Sequence, residues 1–152
     1  RHEIEDYVRY LDRVAERVLD GPTPPASLTV LGFSQGVATA ARWTVSGRLR
    51  PRRLVLWGDF LPPDLDLARA REAWSRTQVI LVRGHADPAL GDPRLTAEEA
   101  GRIRSAGLSV DRRAYAGGHD VDPDVLRAIA DADDRAPTSA DPGHSGTPAN
   151  DT

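Results

Sequence analysis

Hydrophobic residues recur along this chain first at helical spacing and then in short, dense runs. Ile4, Tyr7, Val8, Leu11, Val14, Ala15, Val18 and Leu19 fall three or four positions apart. That spacing predicts an amphipathic helix over residues 3–20, ended by Gly21 and Pro22. Ser27 to Phe33 reads as a short buried strand, and residues 35–47 as a helix of small side chains closed by Gly47. Leu54-Val55-Leu56-Trp57 and Val79-Ile80-Leu81-Val82 are unbroken apolar runs, the pattern of strands buried on both faces. Between them a Pro-rich loop, Phe60 to Leu67, leads into a short helix over 68–75. The strand 79–82 ends at Gly84, and a loop rich in Asp, Pro and Gly follows. Thr96 is expected to cap a helix over 97–106, with Glu99 completing a capping box. Leu108 to Tyr115 alternates apolar and polar side chains, as a strand near a sheet edge does. Asp122 and Pro123 open a last helix, running to about Ala132. Strands alternating with helices predict an α/β fold, a parallel sheet with helices on both faces. In such sheets the chemistry sits in loops beyond the carboxyl ends of the strands.

At 152 residues the chain is one domain by length. Its basic residues are all Arg, 20 against 23 acids, for a net charge of -3. That balance gives no reason to expect nucleic acid or an anionic membrane as a partner. Without cysteine there is no disulfide framework, thiol nucleophile or thiolate metal site. No apolar run approaches the roughly 18 residues of a membrane span, and the acidic opening reads as helix rather than signal peptide. A cytoplasmic location is the default expectation. Met is absent and the chain opens in mid-helix without an N-cap. The expectation is therefore that residues 1–132 are the C-terminal part of a longer domain, its first strands lying upstream. Residues 133–152, mostly Asp, Pro, Ser, Gly, Thr and Ala, have almost nothing to bury and are expected to form a disordered tail.

Candidate chemistry centres on Gly32-Phe33-Ser34-Gln35-Gly36, between the first strand and the second helix. A Gly-x-Ser-x-Gly at such a junction is a nucleophile elbow. The flanking strand and helix carry the assignment, since the bare pattern is a weak signal. The turn forces Ser34 into a strained backbone conformation, and a side chain at position 32 or 36 is expected to collide with a neighbouring element. Ser34 then stands above the sheet at a helix N-terminus, which favours negative charge. The other strand ends carry Trp57-Gly58-Asp59-Phe60, Gly84-His85-Ala86-Asp87-Pro88 and Gly117-Gly118-His119-Asp120. A serine nucleophile needs a base, and the base an acid that orients it. Ser34, Asp87 and His119 supply these groups in the order Ser, Asp, His, that of the α/β-hydrolase fold. Each has a plainer alternative: Ser34 as an N-cap, His119 as a solvated loop residue, Asp87 as a turn former before Pro88. Asp59 is the rival acid. His85 reads as a pocket or turn residue, and His2 and His144 lie in segments away from the site. No metal site is expected.

Gly-Phe-Ser-Gln-Gly, Val-Arg-Gly-His-Ala-Asp-Pro and Tyr-Ala-Gly-Gly-His together resemble the phospholipase/carboxylesterase family of α/β-hydrolases, small lidless esterases and acyl-thioesterases. The resemblance spans roughly residues 3–132. It implies hydrolysis of carboxylic esters, lysophospholipids or acyl thioesters without a cofactor. On that basis Ser34 attacks the carbonyl, His119 takes and returns the proton, Asp87 orients His119, and the Gln35 N–H is one oxyanion donor. The chain departs from the family in showing four strands and no early-strand loop for a second oxyanion donor. Losing one such donor typically costs about 10²–10³ in rate. Trp57-Gly58-Asp59 also stands where the family more often has a Ser-Gly pair. Loop position suggests an apolar pocket of Phe33, Trp57, Phe60, Leu61 and Leu90. The expected partner is a small-molecule ester. Single-domain esterases of this kind often form homodimers, though no residue here specifies an interface. Two other readings stand beside this one. The first is a non-catalytic module binding an acyl ligand or a protein partner, and the second is an acyltransferase or peroxidase-type enzyme using the same elbow.

Overall fold

A computed structural model describes residues 2–21 and 27–134. The chain divides into two compact units, residues 1–122 and residues 123–152. The first opens with helix α1 (His2–Leu19) and continues through β1 (Thr29–Phe33), α2 (Gly36–Ser46), β2 (Arg53–Trp57), α3 (Leu67–Ala73) and β3 (Gln78–Gly84). A single 3₁₀ turn (Pro88–Leu90), α4 (Pro93–Ser105) and β4 (Asp111–Tyr115) complete it. The described part of the second unit is helix α5 (Pro123–Asp134), with an Arg127–Asp124 ion pair of 2.7 Å along one flank. The expected tail falls, from residue 135 onward, outside the described residues, as does His144.

The four strands form one parallel sheet in the order β1-β2-β3-β4. Each strand adds to the same side of its predecessor. Right-handed crossovers then carry α2, α3 and α4 to one face. There Val37, Ala40, Ala41 and Val45 of α2 meet Leu54 and Leu56 of β2, Val79 and Leu81 of β3, Trp74 after α3, and Ile103 of α4. Each such large side chain taken fully from water contributes about 1.5–3 kcal/mol. The alternate residues, Val55, Trp57, Ile80 and Val82, are buried on the opposite face. Within this layer Trp74 Nε1–H donates to Thr44 Oγ1 (3.0 Å), which donates on to the Ala40 carbonyl. Helix α1 packs on α2. Its Asp12, 7% exposed, accepts from Trp43 Nε1–H and the Arg48 N–H. Val14 and Val18, counted in its apolar stripe, are exposed instead, because no described element covers that flank.

The two edge strands differ. On β4, Asp111, Arg112, Arg113 and Ala114 are all exposed, and charge on an edge discourages further pairing. On β1, Leu31 is 41% exposed and the strand itself carries no charged residue.

Helix α4 corrects the expected capping. Asp92, not Thr96, is the N-cap: its carboxylate accepts from the Arg94 N–H (2.8 Å) and Pro93 occupies the first turn. The helix therefore starts one turn earlier than expected. Glu99 lies in its interior, 3% exposed, and reaches away from any cap.

Candidate active site

Ser34 follows β1 directly, with φ 53°, and among the described residues no other non-glycine has positive φ. Holding a serine there costs on the order of 1–3 kcal/mol. Two bonds fix the turn: the Ser34 N–H donates to the Trp57 carbonyl, and the Val37 N–H to the Ser34 carbonyl, both at 2.8 Å. The glycines of the elbow are not equivalent. A Cβ at Gly32 would overlap the Gly36 carbonyl and crowd Ala40, so the close strand–helix approach requires glycine there. Gly36 has open space where a Cβ would stand, which corrects the expected collision at that position. Nor is Ser34 a cap: the residue before α2 is Gln35, and no side chain caps the helix.

The loops after β3 and β4 are joined to each other. The His85 N–H donates to the Tyr115 carbonyl and the Ala86 N–H to the Gly117 carbonyl, both at 2.9 Å. Gly84 permits this approach, since a Cβ there would overlap the carbonyls of Gly117 and Gly118. Asp87 from one loop thereby faces His119 from the other. Asp87 Oδ2 lies 2.8 Å from His119 Nδ1, and His119 Nε2 lies 2.9 Å from Ser34 Oγ. A carboxylate only accepts, so the proton of the neutral ring sits on Nδ1, and Nε2 is left to accept from the serine hydroxyl. The Asp87 side chain is fully enclosed, whereas that of His119 is 36% exposed. The three groups thus run from the interior to the surface.

Asp87 also does what a residue before proline does in a turn: its Oδ1 accepts from the Ala89 N–H (2.9 Å) and caps the Pro88–Leu90 turn. Asp59, the rival acid, spends Oδ1 on the adjacent Phe60 N–H (2.7 Å). The Gln35 N–H lies at the start of α2 and finds no acceptor among the described residues. His85 is exposed, and so is His2 on α1.

Of the five residues expected to line a pocket, three stand near the surface. Phe33 lies against the His119 ring, centroids 5.1 Å apart; Phe60 is half-buried beneath the Arg83 guanidinium, 4.5 Å from its ring centre; and Leu90 is half-buried on the 3₁₀ turn. Trp57 and Leu61, 0% and 2% exposed, are core residues and leave the pocket. In β2 the alternation of side chains sends Trp57 to the face opposite Leu54 and Leu56, where its indole donates to the Tyr115 hydroxyl. A cavity of about 740 Å³ lies elsewhere among the described residues, bordered by Val8, Arg42, Val45, Asp64 and Leu65. Among the described residues no group of three His, Cys, Asp or Glu side chains is placed to hold a metal ion. No helix there is long and apolar enough to cross a membrane.

Sequence reasoning missed two groups around the site. Glu99 accepts from the Leu61 N–H (2.9 Å) and from Arg83 Nη2 (2.6 Å), so it ties the loop after β2 to β3. Tyr115 gathers Trp57 and the His119 loop on its hydroxyl. A tyrosine closing a strand just before Gly-Gly-His was the available signal for the second.

No family model matches the chain, and no curated protein matches it by sequence. Solved structures do. SOBER1 of Arabidopsis thaliana superposes with a TM-score of 0.68 at 17% identity, over 87% of this chain and 63% of that one. Acyl-protein thioesterase 2 of Zea mays gives 0.56 at 19% identity, over 82% and 62%. MGS-M1, an α/β hydrolase from a Medee basin deep-sea metagenome library, gives 0.50 at 18%, over 86% and 60%. The chain has the α/β-hydrolase fold. It spans less than two thirds of the length of each of these structures.

Proposed function

We propose that this chain is the catalytic part of a serine hydrolase that cleaves carboxylic esters or acyl thioesters through an acyl-enzyme. The observation that carries the reading is the continuous line of contacts from Ser34 Oγ to His119 Nε2 (2.9 Å) and from His119 Nδ1 to Asp87 Oδ2 (2.8 Å). In the first half-reaction Ser34 Oγ bonds to the acyl carbon as its proton moves to His119 Nε2. The carbonyl electron pair shifts to oxygen, facing the Gln35 N–H at the positive end of α2. Collapse breaks the bond to the leaving alkoxide or thiolate, which takes the proton from Nε2. Water then repeats the sequence on the acyl-serine and releases the acid. Asp87 keeps the Nδ1–H tautomer and stabilises the imidazolium formed in each half.

Phe33, Phe60 and Leu90 offer apolar surface for an acyl chain or small aromatic ester, lysophospholipids included. The name of the maize neighbour points to thioesters, and the elbow chemistry serves them equally.

Hydrolysis of p-nitrophenyl acetate tests it. The expected trace is a burst of p-nitrophenol stoichiometric with protein, then a slower steady release, both absent in Ser34→Ala. A second reading, a non-catalytic module that binds an acyl ligand or protein partner, draws on the single oxyanion donor identified, Gln35. A folded chain that binds a fatty acid but gives neither burst nor turnover would favour it.

A further inference from the structure

His119 is exposed, and the residues on both sides of it reach one buried hydroxyl. Tyr115 closes β4 and is 7% exposed. Its oxygen accepts from Trp57 Nε1–H (3.2 Å), and Trp57, fully buried at the end of β2, ties it to the sheet. The two rings lie 5.6 Å apart. The same hydroxyl stands 2.9 Å from the Gly118 carbonyl, 2.5 Å from the Asp120 carbonyl and 3.1 Å from Asp120 Oδ1. A phenol has one proton, so it donates to these oxygens in turn rather than together. All of them belong to the two residues that flank His119. Gly117 makes room for the grip, since a Cβ there would overlap the Tyr115 ring. Burial raises the Tyr115 hydroxyl above its usual phenol range, Asp120 adds to this and the Trp57 bond opposes it, so the donor stays protonated near neutral pH.

We propose that Tyr115 is a positioning residue: its hydroxyl, anchored by Trp57, holds the backbone on both sides of His119 so that Nδ1 meets Asp87 and Nε2 meets Ser34. The inference rests on the serine-hydrolase reading. A displacement of about 1 Å at a proton-transfer site costs as much as 10²-fold in rate. The side chains proposed to meet the acyl group, Phe33, Phe60 and Leu90, lie outside residues 118–120. The loss therefore belongs to kcat and not to KM.

The test uses p-nitrophenyl acetate with the wild-type chain, Ser34→Ala, Tyr115→Phe and, as a remote control, Tyr10→Phe on the exposed flank of α1 (66% exposed). Rates are expressed per site titrated with a fluorophosphonate, so unfolded molecules do not count. Tyr115→Phe is expected to lower kcat about 10- to 100-fold with KM within about twofold. It is also expected to erase the downfield proton resonance of the His119–Asp87 bond, while Tyr10→Phe matches wild type. If Tyr115→Phe yields no titratable sites, Gly117→Ala reaches the same phenol without opening a core cavity, and the same loss in kcat is expected. Wild-type kcat per site in Tyr115→Phe, or a loss carried by KM, overturns the proposal. A wild-type chain no more reactive than Ser34→Ala overturns the hydrolase reading itself, and that comparison involves no Tyr115 variant.

Discussion

Asp87, in the loop after β3, and Glu99, inside α4, are both carboxylates only 3% exposed, yet they sit in opposite kinds of surroundings. Glu99 is closed in on itself: Arg83 Nη2 at 2.6 Å, the Leu61 N–H at 2.9 Å and Arg112 at 3.8 Å satisfy it. Its main partner is a guanidinium, which keeps its charge at any working pH and passes no proton on. Asp87 instead holds an imidazole, whose second nitrogen meets a serine hydroxyl at the surface. An imidazole gains and loses a proton near neutrality. Burial is therefore shared by the two sites, and the partner decides the role: Glu99 is a clamp on the loop after β2, whereas in the proposed reaction Asp87 orients an imidazole without taking its proton.

The sharpest way to break the comparison is to neutralise each carboxylate in turn. Asp87→Asn is expected to lower kcat for p-nitrophenyl acetate about 10⁴-fold, because an amide stabilises the wrong tautomer of His119. Its melting temperature should change little, since Asn can still cap the Pro88–Leu90 turn. Glu99→Gln should do the reverse. It strands the charge of Arg83, and a denaturant titration should show about 3–5 kcal/mol less stability, with kcat per titrated site within about threefold of wild type. Large losses of activity per site in Glu99→Gln, or of stability in Asp87→Asn, would erase the distinction. The exposed pair Arg42–Asp64 (2.6 Å) provides the smallest effect. Its hydrogen bond to Arg42 holds the Asp64 carboxyl below the usual range, against a weaker desolvation effect. A depressed carboxyl adds stability above its unfolded value of 3.8 and loses it as the pH falls through the folded value. Asp64→Asn should thus cost less than about 1 kcal/mol at pH 7, with the difference from wild type vanishing in acid.

The same contrast marks what the sequence could convey. The order of strands and helices was legible because apolar runs and turn residues are local signals, and the elbow was legible because its turn needs a particular residue at a particular offset. That Asp87 and His119 would meet was legible because each follows a strand, and parallel strands bring their carboxyl ends to one side. Glu99 was misread as a capping residue because Thr-x-x-Glu fits a cap motif, while the actual cap, Asp92, and the pull of Arg83 across the fold are set by tertiary contact. Trp57 was misplaced because a continuous apolar run does not say which face each residue takes. Gly36 likewise fits the motif, yet only Gly32 is hemmed in by the Gly36 carbonyl and Ala40.

The central claim is that His119 and Asp87 activate Ser34. Intact-mass analysis after exposure to a fluorophosphonate tests it directly, because the reagent bonds only to an activated serine. The account predicts the mass of one phosphonyl group on the wild-type chain and none on Ser34→Ala. A folded wild-type chain that stays unmodified, or a Ser34→Ala chain modified as fast, would contradict it.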